Sequence, residues 1–395
     1  MVLLAALVLV SLGVGLTISI VGPTVSAIAV RLRVHEADLG LVFTASFLAA
    51  SVSTPTAGRV YDRYGPRVVL PPGLAMVAIG TLGEGFAPAV PVLALMAAVA
   101  GLGIGVLNVG ANVVAAAAYP ERRESALNLL NAAFGVGAFL APLGASLSMG
   151  RLGGYAPAYF VVGAALALLV PPLLIALPAR PTSDRDRPGP GVAPSMADGA
   201  GSRGALRYLL GSGSLRAYSV MGFLYLGVEI GFAGWIPVLV RRLAHLDEVA
   251  AASVGSVFWL CLALGGIPTA FLLQRGLAPS RLISAGAVGV MAAATALALW
   301  GGAAPVAVAC CAAVGLSLSP ILPLILAGAG RVASARSPGQ AGGATGLVLV
   351  AAQVGAATLP PLQGFLLGLA PAAALAVTFG GGLLILALGS LTTRL

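Results

Sequence analysis

Lysine is absent from this chain, and residues of either charge make up only 8% of its 395 positions, against 59% that are hydrophobic. That scarcity excludes a soluble globule, which would need far more polar surface than these residues can supply. With a mean hydropathy of +1.04, the composition fits a polytopic helical membrane protein. Cysteine is nearly missing too. Cys261, Cys310 and Cys311 all fall inside apolar runs, where they suit neither an extracellular disulfide nor a metal cluster and are expected as small buried hydrophobes. Of the two histidines, His35 and His245, both fall in predicted loops as solvated residues. No nucleophile–base grouping and no metal-ligand spacing stands out, so the expectation is a protein that is not an enzyme and carries no cofactor and no metal. A net charge of +9 could suggest nucleic acid. Here the arginines punctuate apolar segments, so membrane topology accounts for them and no nucleic-acid partner is expected.

What the chain has in abundance is long apolar stretches rich in glycine and alanine, which in a bilayer let helix backbones approach closely. Hydropathy and helix breakers predict twelve spans at about 3–30, 39–57, 68–87, 91–118, 127–149, 155–178, 215–240, 250–273, 281–300, 304–328, 340–367 and 371–391. The first has no basic residues ahead of it, so it is expected to remain as a span rather than be cleaved as a signal peptide. If the N-terminus is cytoplasmic, sixteen arginines lie in cytoplasmic segments and five outside, namely Arg31, Arg33, Arg151, Arg241 and Arg242. The positive-inside rule therefore predicts a multi-pass protein of the cell inner membrane with both termini cytoplasmic. Between spans six and seven lies the one long polar stretch, rich in Pro, Gly, Ser and charge. It predicts a six-helix bundle over residues 1–178, a cytoplasmic linker over 179–214 and a second six-helix bundle over 215–395.

The two bundles echo each other. Pro23 corresponds to Pro237, Gly40 and Phe43 to Gly255 and Phe258, and Arg67 to Arg281, all at offsets of 214 or 215; Ala141-Pro142-Leu143 aligns with Pro360-Pro361-Leu362 at 219. A near-constant offset predicts a duplicated, pseudo-symmetric architecture with a central cavity. After span two comes Gly58-Arg59-Val60-Tyr61-Asp62-Arg63-Tyr64-Gly65-Pro66-Arg67. Its glycines allow a tight turn, and Asp62 can accept from arginines or helix N-termini. This stretch closely resembles the signature of the major facilitator superfamily. The resemblance implies an all-α fold of twelve helices in two bundles, alternating access between them, and a cytoplasmic conformational gate at Gly58, Asp62, Arg63, Gly65 and Arg67. The counterpart after span eight, Gln274 to Arg281, lacks the aspartate, so any such latch is asymmetric. The arginine often found in span four of the superfamily is absent, and Gly135-Val136-Gly137-Ala138-Phe139-Leu140-Ala141-Pro142 only loosely resembles the antiporter motif of span five.

Two further stretches, Asn108 to Asn112 leading to Ala126–Ala138, and Tyr225 to Glu229 with Gly234-Trp235, resemble the fucose/galactose/glucose branch and its sodium-dependent glucose transporter relatives. The resemblance implies sugar uptake by symport with a proton or sodium ion. From the residues alone, Asn108 and Asn112 share one helical face and Asn128 and Asn131 another, and each amide offers donors and acceptors suited to hydroxyl-rich ligands. Gln353, Tyr225, Trp235 and Trp259 add hydrogen bonds and stacking surface, and Gln363 lies near the outer end of span eleven; the alternative for all of these is interhelical packing. Glu229 is a lone carboxylate about 13 residues beyond Arg216, roughly 20 Å along the helix at 1.5 Å per residue, and so near mid-membrane. A charge at that depth is costly and marks an ion pathway, so Glu229 is the expected coupling group. Glu84, near the outer end of span three, is its lesser rival for that role, the alternative being a simply hydrated residue. The sequence thus predicts a monomeric secondary transporter, bathed in membrane lipid, for a small polar solute, with efflux of amphipathic drugs or lipids as the alternative.

Overall fold

The computed structural model describes residues 2–177, 212–336 and 341–392. Among these, every regular element is helical, and twelve helical stretches are long and apolar enough to cross a membrane. The N-terminal half contains α1 (Val2–Leu32), α2 (Gly40–Tyr64), α3 (Pro66–Phe86), α4 (Val90–Ala118), α5 (Arg123–Arg151) and α6 (Ala156–Ala176). The C-terminal half contains α7 (Gly213–Ala244), α8 (Glu248–Leu264), α9 (Gly266–Gln274), α10 (Pro279–Trp300), α11 (Ala304–Leu318), α12 (Ile321–Arg336), α13 (Ala341–Leu369) and α14 (Pro371–Thr392). The predicted linker over 179–214 lies outside the described residues except for 212–214, and of these 213 and 214 already open α7. Chain direction alternates from span to span, so Val2 and Thr392 share one face of the bundle, called here the terminal face, and the other is the far face.

Spans eight and ten each consist of two helices, a feature the hydropathy pattern does not announce. One break falls at Gly265 and the other at Ser319-Pro320, and the two are neighbours: a Cβ on Gly265 would stand 2.6 Å from that of Ser319. Proline and paired glycines end a helix here because they remove a donor or weaken the preference for helix. Thr269 Oγ1 donates to the Gly265 carbonyl at 2.7 Å, satisfying an oxygen beside the break.

Small residues set how closely the helices pack. At the start of α3, Gly65 takes φ +82°, a conformation that a Cβ would strain, and Pro66 follows at the first helical position, so the chain reverses in a single residue. Within the C-terminal half, α13 lies against α7 so closely that a Cβ on Gly355 would overlap the Phe223 carbonyl. Between the halves, α1 meets α7 at Gly22 and Gly234, where a Cβ on Gly22 would be 2.9 Å from Gly234 Cα. Dispersion between closely packed backbones is the main attraction available where lipid is as apolar as the side chains. α7 is the most enclosed span: 89% of its apolar window is buried in protein, against 22% for the α8–α9 span.

Candidate functional site

The halves are joined by polar contacts toward the far face. Arg241 and Arg242, at the far end of α7, both donate to Glu36 in the 3-10 turn between α1 and α2, the second at 2.7 Å. Glu36 also accepts from Ser26 Oγ at 2.7 Å, and Arg242 donates to the Leu367 carbonyl at 2.6 Å. Further along the seam, Thr44 Oγ1 donates to the Ala357 carbonyl, Ser146 Oγ to that of Val249 and Ser256 Oγ to that of Phe139, each at 2.7–2.8 Å. Deeper still, Gln353 Nε2 on α13 donates to Thr54 Oγ1 on α2 at 3.1 Å. The far face is therefore zipped together by directional bonds.

Toward the terminal face, a notch of about 50 Å³ opens between α1, α4 and α5. Asn108 and Asn112 from α4 and Asn131 from α5 line it, with Ser11, Leu107 and Phe134 beside them. Asn108 and Asn131 are exposed there, and Asn112 Nδ2 donates to the Asn108 carbonyl at 2.6 Å, which leaves its amide oxygen to accept. Two helices thus bring three of the four predicted asparagines together; Asn128, also exposed, is not part of the lining. The volume suits a few water-sized polar groups rather than a whole sugar ring. Phe134 extends the notch to the other half, because Trp259 on α8 packs edge-on against it with ring centroids 6.5 Å apart.

Glu229 sits on the enclosed helix α7, itself buried, one turn beyond the equally buried Tyr225. The i, i+4 spacing places both on one helix face. Trp235, nearly three turns beyond Tyr225 and fully buried, donates its indole N–H to the Pro360 carbonyl at 2.8 Å and packs over Gly364, holding α7 to α13. Gln363 Nε2 donates to Thr378 Oγ1 at 3.1 Å, joining α13 to α14. Gln353, as described, bridges the two halves.

At the predicted gate, Arg67 Nε donates to the Leu177 carbonyl at 2.7 Å, fastening the start of α3 to the end of α6 within one half. The Arg63 guanidinium lies 5.2 Å from the Tyr64 ring centroid, and Gly58 and Gly65 flank the helix end and the reversal. The Asp62 side chain lies outside the described residues.

One alternative is overturned. Glu84 is not hydrated: it is 3% exposed, with Oε2 lacking a hydrogen-bond partner. The cause is α6, whose Tyr159 closes over the neighbouring Gly85, so that proximity to a helix end does not give access to water. Sequence reasoning also passed over Glu36, Thr54 and Phe134. Glu36 stands in a polar turn where an acid is unremarkable, and the partners of Thr54 and Phe134 lie on the opposite half, so no local pattern marks them.

Twelve apolar spans in two packed halves, with a seam between them and polar side chains along it, define a polytopic membrane transporter. The family follows from the sequence itself: the profile of the Major Facilitator Superfamily matches residues 7–345, and the chain belongs to that superfamily, whose members are transporters and not enzymes. Among curated relatives, it is 26% identical over 391 residues to sodium-dependent glucose transporter 1 of Danio rerio, covering 90% of this chain but only 63% of that protein. The human protein of the same name is 29% identical over 139 residues, 35% of this chain and 27% of its own length. Solved structures share the fold. The nucleoside transporter NupG superposes with a TM-score of 0.78 at 15% identity, covering 100% of this chain and 99% of that one. The E. coli fucose:proton symporter FucP gives 0.65 at 18% identity, covering 98% of each chain.

Proposed function

We propose that this protein imports a sugar or a similarly hydroxylated solute by alternating access, coupled to a proton or sodium gradient, with the terminal face cytoplasmic. The observation that carries this reading is the convergence of Asn108, Asn112 and Asn131 on one notch beside the Phe134–Trp259 pair. Amides that both donate and accept match vicinal hydroxyls, and an aromatic edge or face matches the C–H surface of a sugar ring. The names of the curated relatives support the solute class, and the arginine distribution supports the orientation in a cell inner membrane. In this orientation the far-face bonds seal the outside, and the notch faces inward.

Glu229 is the proposed coupling group. Its carboxyl is buried on the helix that touches both α1 of the other half and the rest of its own, and protonation or ion binding there changes the free energy of exposing it to either side. Gly58, Asp62, Arg63, Gly65 and Arg67 are proposed as the cytoplasmic gate that closes when the far face opens. Proteoliposomes with an imposed proton or sodium gradient test the reading against a panel of sugars and nucleosides. Gradient-driven accumulation of a panel member is expected, and Glu229→Gln is expected to abolish it while sparing exchange; unchanged accumulation in that variant removes Glu229 from coupling. Expulsion of lipophilic cations with no accumulation of any panel member would replace import by efflux of amphipathic compounds.

A further inference from the structure

The far face carries a cavity that the transport reading does not use. This vestibule is about 590 Å³, a size that suits a small molecule, and it forms where the end of α1, the α5–α6 turn and the start of α8 come together. Two charged side chains line it. Arg31 comes from the last turn of α1 and Glu248 from the first turn of α8, so each half of the protein contributes one.

Both charges are available to a ligand. Arg31 is anchored through one end of its guanidinium: Nη1 donates to the Gly85 carbonyl at 3.1 Å and to Tyr155 Oη at 2.9 Å. Gly85 lies in the last turn of α3, where a carbonyl lacks a helical donor, so this bond caps that helix and fixes the arginine. Both Nη1 hydrogens are then used, and the Nε–Nη2 edge has no acceptor among the described residues. Such an edge holds a carboxylate through two parallel bonds. Glu248 is likewise not spent on its own helix. Asp247 caps α8 by accepting from Ala250 N at 2.9 Å, and Glu248 stands exposed beside it.

We infer that this vestibule binds a small hydroxy carboxylate, with the carboxylate on the Nε–Nη2 edge of Arg31 and a hydroxyl donating to Glu248. The acid selects for a ligand with O–H groups to give, and against a doubly charged phosphate, which it repels. Val30, Met149 and Leu152 offer apolar surface to the carbon skeleton. Because Arg31 moves with one half and Glu248 with the other, the site is complete only while the far face is closed. A bound ligand favours that state, which makes the vestibule an inhibitory site of the import cycle and not a stage of it. This consequence rests on the alternating-access reading; the binding does not.

Calorimetry on the full chain in nanodiscs, at constant ionic strength and with glucuronate as the probe, tests this. Glucuronate is expected to bind, and its methyl ester, which keeps the ring and loses the charge, to bind at least about tenfold more weakly. Arg31→Gln should weaken glucuronate by a similar factor. That variant also uncaps α3, so Gly154→Leu serves beside it: a Cβ at this lining position meets nothing within 4 Å, and the side chain takes up vestibule space without crowding the fold. It should abolish binding at an unchanged melting temperature. The proposal is overturned if glucuronate does not bind, if its binding survives both variants, or if inorganic phosphate binds as tightly. Bridging is read separately, from spin-label distances between the far ends of α3 and α8. Glucuronate should shorten them in the wild type but not in Glu248→Ala, and shortening that persists in this variant would remove Glu248 from the site. None of these readouts involves transport, so their failure leaves the import reading standing.

Discussion

Arg242 donates to the Glu36 carboxylate at 2.7 Å across the boundary between the two halves, and Arg241 shares the same acceptor. One acid thus holds two cations of the opposite half, in a turn that moves with α1 and α2. The bond can persist only while the far face is closed.

Replacing Glu36 with Gln is therefore expected to favour the state open at the far face. Both guanidiniums are about a third exposed (34% and 36%), which limits the loss. A weakening on the order of 1 kcal/mol corresponds to a shift of roughly fivefold between conformers. Distance distributions between spin labels at the far ends of α1 and α7 should broaden toward longer values, and raised salt should act on the wild type in the same direction. Unaltered distances in the variant would mean that the seam is held elsewhere.

Two glycines separate conformational bias from simple stability. Gly22 meets Gly234 across the halves, so Gly22→Ala crowds only the closed far face. Gly101 packs against the Ser46 backbone within one half, so Gly101→Ala strains every conformer. The second variant should lose about 1–3 kcal/mol, seen as a lower melting temperature with no change in label distances. The first should change the distances more than the melting temperature.

Trp235→Phe should lower the melting temperature and leave solute affinity unchanged. The indole N–H is spent on the Pro360 carbonyl, a mid-helix oxygen that keeps its own helical donor, so its loss removes one net hydrogen bond of about 0.5–1.5 kcal/mol together with packing over Gly364. A raised KM with normal stability would instead bring this side chain into the solute path.

Along the notch, Asn108→Ala and Asn131→Ala should each raise the KM of the transported solute by about tenfold, equivalent to one hydrogen bond of roughly 1.4 kcal/mol. Asn128→Ala, whose side chain is outside the lining, should have little effect. Equal effects at all three positions would argue against this notch as the binding surface.

The helices were legible because membrane spans are written in local composition: all twelve predicted segments correspond to helical stretches, and the proline and glycine of Gly65-Pro66 mark the reversal between α2 and α3. The breaks at Gly265 and Ser319 were less so, since Gly-Gly and Ser-Pro occur inside many continuous spans and only the facing helix decides whether the chain bends. Among the proposed site residues, i, i+4 logic placed Asn108 with Asn112 and Tyr225 with Glu229. It could not place Asn131 beside the first pair, because that contact depends on how α4 and α5 pack. Glu84 shows the same limit: depth along a helix can be counted from sequence, but enclosure by a tyrosine 75 positions away cannot.

The near-complete enclosure of α7 has a consequence for how the protein responds to its membrane. Peripheral spans, which present much of their surface to lipid, must tilt or stretch when the bilayer thickens or thins. α7 meets protein on almost every side, so its height is fixed by its neighbours and not by the acyl chains. The carboxylate of Glu229 therefore keeps its depth when lipid composition changes, and adaptation to temperature or growth phase falls on the outer helices alone.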